Sequence, residues 1–281
     1  VYGMLATLET EHIMRGDSIN LSPDFVARMY LSEQANRRRF LPHKMLQKEQ
    51  DITTRGMSTM ALDLIQTYGL QHYDAYHHRP DMDYNVLCRK LDYGKNTEDL
   101  LDKYIGPLPK QVFILGALYT PLEFAHSVCT DDEYLAMTSF THHPYGQHFP
   151  LEVPDNYFHD NFLNVPLDTM MNRIVQSLRS GHPVCWEGDI SEPGFLFGNG
   201  FAVLKHENKK VTAERRQASF EAHRTTDDHV MEIVGLAHDQ NGRRFFLCKN
   251  SWGTANRYHG FMFLSENYVR MKTIAVVLRA I

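Results

Sequence analysis

The chain has 281 residues, of which 43% are hydrophobic and 22% are charged, and its formal net charge is −5 at pH 7. This composition is typical of a globular protein with one large domain or two closely joined ones. The mild negative charge excludes the global basic field of proteins that bind nucleic acid or anionic membranes. No apolar run approaches the roughly 20 residues that cross a bilayer. We therefore expect neither nucleic acid nor a membrane as a partner.

The first part of the chain carries strong helix signals. Apolar periodicity and end signals predict helices over about 1–15, 22–39 and 57–68. The second helix has Ser22 as its N-cap and Pro23 at its first position, and Gly69 closes the third.

Two further helix starts lie between Tyr73 and Asn164. Asn96–Asp99 opens one helix, and Thr120–Glu123 has the sequence of a capping box and opens another. A last helix is predicted over 165–178 and ends at Ser180–Gly181.

The rest of the chain is rich in strand signals. Strands are predicted to begin at Pro183 and to cover Gly260–Phe263 and Thr273–Leu278. Because helices dominate the first half and strands the second, the sequence predicts an α+β fold.

One predicted hairpin brings two polar side chains together. Apolar runs over 230–237 and 244–248 flank Asp239-Gln240-Asn241-Gly242, which is a turn sequence. The hairpin places His229 and Asn250 at the same open end. A neutral histidine oriented by an asparagine oxygen is the base and the orienting group of a nucleophilic triad.

These motifs resemble those of a known family. His229-Val-Met-Glu-Ile-Val-Gly235, followed by Lys249-Asn-Ser-Trp-Gly253, resembles the His and Asn motifs of papain-like cysteine peptidases. Asp227-Asp228 before the histidine and Glu187-Gly188-Asp189 on an earlier strand are similar to the bleomycin hydrolase and aminopeptidase C branch. The resemblance implies that His229 deprotonates a cysteine, that Asn250 orients His229, and that Trp252 covers their contact.

The resemblance also implies a cysteine at the start of the first helix, where the helix dipole stabilises a thiolate. Two alignments are open. If Tyr2 stands for the family's tryptophan, Val1 replaces the cysteine and the protein is inactive. If Tyr2 stands for the later aromatic residue, the cysteine lies two residues before Val1; Glu9, Glu11 and Asn20-Leu-Ser22 favour this alignment.

Other positions take supporting roles by the same resemblance. Gly56 matches a glycine that lets the substrate backbone lie against the enzyme, although Arg55 replaces the glycine that often precedes it. Asp228 is expected to support the site beside His229. Cys185-Trp186 mimics the nucleophile dipeptide, but a strand and not a helix is predicted there.

The expected architecture is a papain-like fold, with a helical half and an antiparallel β-rich half separated by a helical insertion. We assign residues 1–72 to the helical half, 73–164 to the insertion, and 165–281 to the mainly β half. All three would form one peptidase unit. The insertion would wall off the cleft or build a homo-oligomer contact, and the sequence leaves both open.

The predicted function is a cysteine-type peptidase, an aminopeptidase by the branch it resembles, with peptides as substrate partners. An endopeptidase and a non-catalytic peptide-binding relative that lost its cysteine are the alternatives. The four cysteines have no metal-ligand spacing, and the clustered histidines at 77–78, 142–143 and 148 are interpreted as solvated loops. We therefore expect no metal and no cofactor.

Overall fold

The computed structural model describes residues 1–40, 51–93, 96–114 and 116–280. The helices are α1 (Tyr2–Met14), α2 (Pro23–Phe40), α3 (Ser58–Tyr68), α4 (Tyr84–Tyr93), α5 (Thr97–Tyr104), α6 (Pro121–Val128), α7 (Leu167–Arg179), α8 (Ala213–Glu221) and α9 (Glu266–Lys272). The strands are β1 (Val112–Ile114), β2 (Ala117–Tyr119), β3 (Tyr134–Thr138), β4 (His148–Pro150), β5 (Asn161–Asn164), β6 (Val184–Gly188), β7 (Phe195–Leu196), β8 (Phe201–Ala202), β9 (His229–His238), β10 (Arg244–Lys249), β11 (Phe261–Ser265) and β12 (Thr273–Arg279). None of the described helices is long and apolar enough to cross a membrane.

The chain divides into two units. The first, here the helical unit, contains residue 1 and residues 18–56 and 61–131. The second, here the sheet unit, contains residues 2–17, 57–60 and 132–281. The α1 helix therefore groups with the sheet, as do β3, β4 and β5, which the sequence analysis did not identify.

A buried arginine organises the helical unit. Arg28 on α2 donates to Glu98 and Asp102, with distances of 2.9 and 2.7 Å from its Nη2. Its Nη1 donates to the carbonyl oxygen of Gly106 at 2.6 Å and to Tyr76. These bonds compensate the cost of burying the guanidinium and tie α2 to α5.

The predicted helix ends of this unit are confirmed. Ser22 Oγ accepts from the backbone N–H of Phe25 at 3.1 Å, and Thr120 and Glu123 form the reciprocal capping box of α6. Gly69 closes α3 with φ +93°, and a Cβ there would lie 2.2 Å from the carbonyl carbon of Pro121. Only glycine fits that position.

The sheet unit is built on ten strands in the order β4-β5-β3-β12-β6-β9-β10-β11-β8-β7. Most neighbours are antiparallel, but β3 with β5 and β8 with β11 are parallel. The central strands are β12, β6, β9 and β10, and all five residues of β6 are buried. Since both faces of β6 are covered, its apolar run does not alternate with polar residues.

A large core lies on one face of this sheet. It joins buried residues of α7, such as Met170 and Ile174, to the sheet residues Trp186, Met231 and Ile233. Trp186 satisfies its buried ring N–H by donating to Thr273 Oγ1 at 2.7 Å. A smaller core includes Met57, Phe140 and Ile274. The α+β class predicted from the sequence is confirmed.

Candidate active site

The site is carried by the β9–β10 hairpin, which forms as predicted. The register pairs Arg244 with His238 and Lys249 with Glu232, with a bulge between Leu247 and Cys248. At the turn, Asp239 Oδ1 accepts from the backbone N–H groups of Asn241 and Arg243, each at 2.9 Å. The turn fixes the register and thus the pairing of the two open strand ends.

His229 and Asn250 meet at that open end. The distance from His229 Nε2 to Asn250 Oδ1 is 2.8 Å, and Oδ1 also accepts from the backbone N–H of Ser251 at 2.7 Å. Because an amide oxygen only accepts, the proton of neutral His229 lies on Nε2. The lone pair of Nδ1 can then accept a proton. This is the tautomer that a general base requires.

Burial keeps this histidine neutral. Desolvation lowers the pKa of His229 below its ordinary value, and the hydrogen bond to Asn250 opposes part of that shift. Burial acts in this direction because it disfavours the charged imidazolium. The lowered pKa favours the neutral form of His229 at neutral pH.

Aromatic rings surround the His–Asn pair. The ring of Trp252 lies 4.9 Å from that of His229, centroid to centroid, with an interplanar angle of 40°. Phe195 and Phe197 contact Trp252 edge-on at 5.9 and 5.3 Å. The sequence analysis named Trp252 but missed the two phenylalanines, although they stand in the aromatic run Gly194-Phe-Leu-Phe197. Trp252 thus covers one side of the imidazole, and the two phenylalanines pack against Trp252.

The first turn of α1 packs against the strand that carries the histidine. A Cβ on Gly3 would lie 2.5 Å from Val230 Cγ1, so a larger residue would push the helix off the strand. The N-terminal end of α1, with its partial positive charge, is thereby held beside the residue after His229. An anionic nucleophile at that helix end would be stabilised.

A buried acid lies on the strand next to the base. The register pairs Gly188 with His229 and Glu187 with Val230. Glu187 Oε2 accepts from Ser58 N at 3.3 Å and from Ser58 Oγ at 3.2 Å. Burial raises the pKa of Glu187 to about 8, against the effect of the Ser58 bonds. Its neutral form therefore dominates at neutral pH.

The acidic residues before His229 have different surroundings. Asp228 is exposed, and its Oδ1 accepts from Thr226 Oγ1 at 2.8 Å. Asp227 is buried, and its Oδ2 accepts from Asp155 N at 2.9 Å. Asp227 thus anchors a neighbouring loop, while Asp228 acts on His229 only as a nearby negative charge that raises its pKa.

Gly56, the predicted substrate contact, is half-buried and is the last residue of its segment in the helical unit. Met57 and Ser58, directly after it, belong to the sheet unit, where Ser58 contacts Glu187. The sequence analysis named Gly56 but not the Ser58–Glu187 contact.

The four cysteines are all buried and free of disulfides. Burial raises the pKa of Cys88 to about 11 and that of Cys185 to about 12, and it raises the pKa of Cys248 further. Such thiols are inert as nucleophiles at neutral pH because almost none is ionised. Cys185 lies on β6, as the sequence analysis expected when it rejected Cys185-Trp186 as the nucleophile.

One group could hold a metal by distance alone. The ligand atoms of His142, His143 and Glu152 lie within 4.8 Å of one another. However, Gln217 Oε1 accepts from Thr141 N at 2.7 Å, so Gln217 Nε2 faces His142 Nδ1 at 2.9 Å and donates to it. His142 then carries its proton on Nε2, which is the atom that faces Glu152. A protonated nitrogen is not a metal ligand.

Comparisons with known sequences agree with this geometry. The model of the "Peptidase C1-like family" matches residues 115–280. Aminopeptidase G of Lactobacillus delbrueckii subsp. lactis is 26% identical over 157 residues, which cover 52% of this chain and 35% of that protein. Aminopeptidase E of Lactobacillus helveticus is 24% identical over 173 residues, which cover 57% of this chain and 39% of that protein. The matches thus span little more than a third of these relatives.

A comparison with solved structures supports the fold. PepW from Lactobacillus rhamnosis matches with a TM-score of 0.68 at 16% identity, over 98% of this chain and 75% of that one. At this identity the likeness concerns the fold alone. The papain-like α+β fold predicted from the sequence is confirmed.

Proposed function

This chain belongs to the Peptidase C1-like family, and we propose that it hydrolyses peptide bonds by a Cys–His–Asn mechanism. The observation that carries the proposal is the 2.8 Å bond from His229 Nε2 to Asn250 Oδ1, which leaves Nδ1 as the base. Two neighbouring features support it: the aromatic cover of Trp252 and the N-terminal end of α1 packed on Val230.

In the proposed reaction, His229 Nδ1 takes the proton of a cysteine thiol. The thiolate attacks the carbonyl carbon of the substrate, and the imidazolium returns the proton to the amine that leaves. His229 then deprotonates a water molecule, whose attack on the thioester releases the acid and restores the thiol. Asn250 keeps the imidazole plane oriented through both proton transfers.

We place the nucleophile at the N-terminal side of α1, two positions before Val1. The resemblance to the family motif supports this position, and so does the packing of α1 against the strand of His229. The four cysteines within the sequence do not compete for the role, because they are buried and three of them have strongly raised pKa values.

The proposed substrate is a peptide with a free amino terminus, since the two curated relatives are named aminopeptidases. The test compares two fluorogenic peptides that differ only in an acetyl group on the first amine. Faster hydrolysis of the free amine by the full-length protein is expected. Equal rates on both peptides would favour an endopeptidase.

The nucleophile is tested by labelling the full-length protein with a peptide epoxide that reacts with thiols, followed by peptide mass spectrometry. The expected adduct lies on a cysteine directly before Val1 and is absent after His229→Ala. An adduct on Cys88, Cys129, Cys185 or Cys248 would overturn the placement of the nucleophile. No adduct, together with no hydrolysis, would favour a peptide-binding protein without catalysis.

A further inference from the structure

A cavity with an excess of positive charge lies within the sheet unit. Its volume is about 480 Å³, and its walls include Lys205, Arg215, Arg224 and Lys272, against the single carboxylate of Glu192. His206 and His223 also line it. We call it the basic cavity.

Most of these cations lack a carboxylate partner. Lys272 is buried and is neutralised by Asp189 at 3.4 Å and Glu192 at 3.6 Å. Arg215 donates only to the carbonyl oxygens of residues 209 and 210, at 3.3 and 3.2 Å. Lys205 and Arg224 form no ion pair with any residue that the structure describes. Like charges around a concave surface create a positive potential that attracts anions.

A second cavity in the sheet unit provides a comparison. It is also lined by several arginines, but each has a carboxylate partner at hand. The pairs are Arg243 with Asp239, Arg244 with Glu266, and Arg270 with Asp168. Among the described residues, Lys210 is the one cation of the second cavity without an ion pair, whereas the basic cavity has three, namely Lys205, Arg215 and Arg224.

The basic cavity lies close to the base. Lys272 directly precedes Thr273, and the sheet register pairs Thr273 with Gly188 and Gly188 with His229. Neighbouring strands are about 4.8 Å apart, so the Cα atoms of Thr273, next to the cavity wall at Lys272, and of His229 lie about 10 Å apart across β6. An extended peptide covers this distance with about three residues at ~3.3 Å each.

We propose that the basic cavity binds a carboxylate side chain of the peptide substrate, about three residues from the bond that is cut. The inference rests on the proposed peptidase function and specifies its substrate class: peptides with Asp or Glu at that distance. Arg224 and Lys205 supply the charge that the carboxylate pairs with, while Lys272 forms part of the wall and is already neutralised.

The test uses two series of fluorogenic peptides, one with Glu and one with Gln. In each series the residue stands at one position at a time, up to four residues on either side of the scissile bond. The full-length protein is expected to prefer Glu about fivefold in kcat/KM at one position about three residues away, the effect of one or two partly exposed ion pairs. The double variant Lys205→Gln/Arg224→Gln is expected to lose this preference and to keep its rate on the Gln peptides.

The control is Lys210→Gln/Arg243→Gln, which removes the same charge from the second cavity and leaves the preference unchanged. A preference for Glu that persists in Lys205→Gln/Arg224→Gln overturns the proposal, as does the lack of any preference. Free glutarate separates the two sources of a carboxylate. If glutarate inhibits hydrolysis of the Glu peptide but not of the Gln peptide, the basic cavity binds the side chain of the substrate. If glutarate changes the hydrolysis of both peptides equally, the cavity binds a free anionic effector, and the proposal is overturned.

Failure of the peptidase function gives a different result, because then neither peptide series is hydrolysed. The same labelled peptides are in that case measured by fluorescence anisotropy. Tighter binding of the Glu peptide that is lost in Lys205→Gln/Arg224→Gln supports the basic cavity. Equal binding of both peptides overturns it.

Discussion

The centre and the edge of the ten-stranded sheet treat their ionisable groups in opposite ways. On the central strands, burial lowers the pKa of His229 and raises that of Glu187 to about 8, so both groups favour their neutral forms. Beyond the edge strand β4, Glu152 accepts from His143 at 2.6 Å and from His142 at 3.2 Å. Partial burial opposes the effect, but these two bonds lower the pKa of Glu152 and favour its charged form.

The difference follows from the partner of each histidine. An amide oxygen orients an imidazole without adding a charge, so His229 keeps a lone pair for proton transfer. At the edge, the carboxylate of Glu152 accepts from the Nε2 atoms of both His142 and His143. His142 and His143 therefore fasten a loop to the sheet edge, while His229 keeps the unprotonated nitrogen that the proposed base requires.

The largest expected effect is the difference in kcat/KM between a variant of the central histidine, His229→Ala, and a variant of an edge histidine, His143→Ala. His229→Ala eliminates the proposed base and lowers kcat/KM by about 10³-fold or more, because no other group takes the thiol proton. His143→Ala leaves kcat/KM within about twofold. Both are measured on one fluorogenic peptide, with circular dichroism as the check on folding. Comparable losses in the two variants would show that the centre is not distinct from the edge.

Glu187→Gln tests the buried acid at the centre. The pKa of Glu187 is about 8 in the folded protein and near 4.5 in the unfolded protein. Below about pH 4.5 the carboxyl is protonated in both states, so its ionisation does not change the free energy of unfolding there. Above pH 4.5 only the unfolded state releases the proton, and stability falls until pH 8.

The amide in Glu187→Gln has no proton to release and still accepts from Ser58. The variant is therefore expected to be about 2–4 kcal/mol more stable than the wild type at pH 9 and equal to it near pH 4.5. Urea denaturation at both pH values measures this. Parallel pH curves for the two proteins would mean that Glu187 is ionised when buried.

Asn250 variants test how the hydrogen-bond partner of His229 affects the histidine. Asn250→Ala leaves the imidazole without an orienting bond and lowers kcat/KM by about 10- to 100-fold, less than His229→Ala, because a misoriented base still works part of the time. Asn250→Asp adds a carboxylate like Glu152 and raises the pKa of His229. NMR titration of the His229 ring measures the shift. An unchanged pKa in Asn250→Asp would contradict this account of the partner's role.

The sequence predicted the parts of this site that depend on local patterns. The turn at Asp239–Gly242 and the two apolar runs were sufficient to bring His229 and Asn250 together, because a hairpin's register follows from its turn. The contacts of Ser58 with Glu187 and of Phe195 with Trp252 join segments far apart in sequence, and no local pattern contains them. The same holds for β3, β4 and β5, which are short and pair within a sheet assembled largely from distant strands.

The smallest effect is expected at the edge. Glu152 is 54% exposed, so solvent weakens its two hydrogen bonds with the histidines, and Glu152→Gln lowers stability by less than about 1 kcal/mol at pH 6. Its folded pKa lies below the unfolded value of 4.5, so its contribution is present above pH 4.5 and is lost as the pH falls through the folded value. Urea denaturation of wild type and variant at pH 6 and pH 3.5 is expected to give a larger difference at pH 6 than at pH 3.5. Relative to the wild type, Glu152→Gln is thus expected to lose stability as the pH rises, whereas Glu187→Gln is expected to gain it. The same pH dependence in both variants would contradict the proposed difference between the sheet edge and the sheet centre.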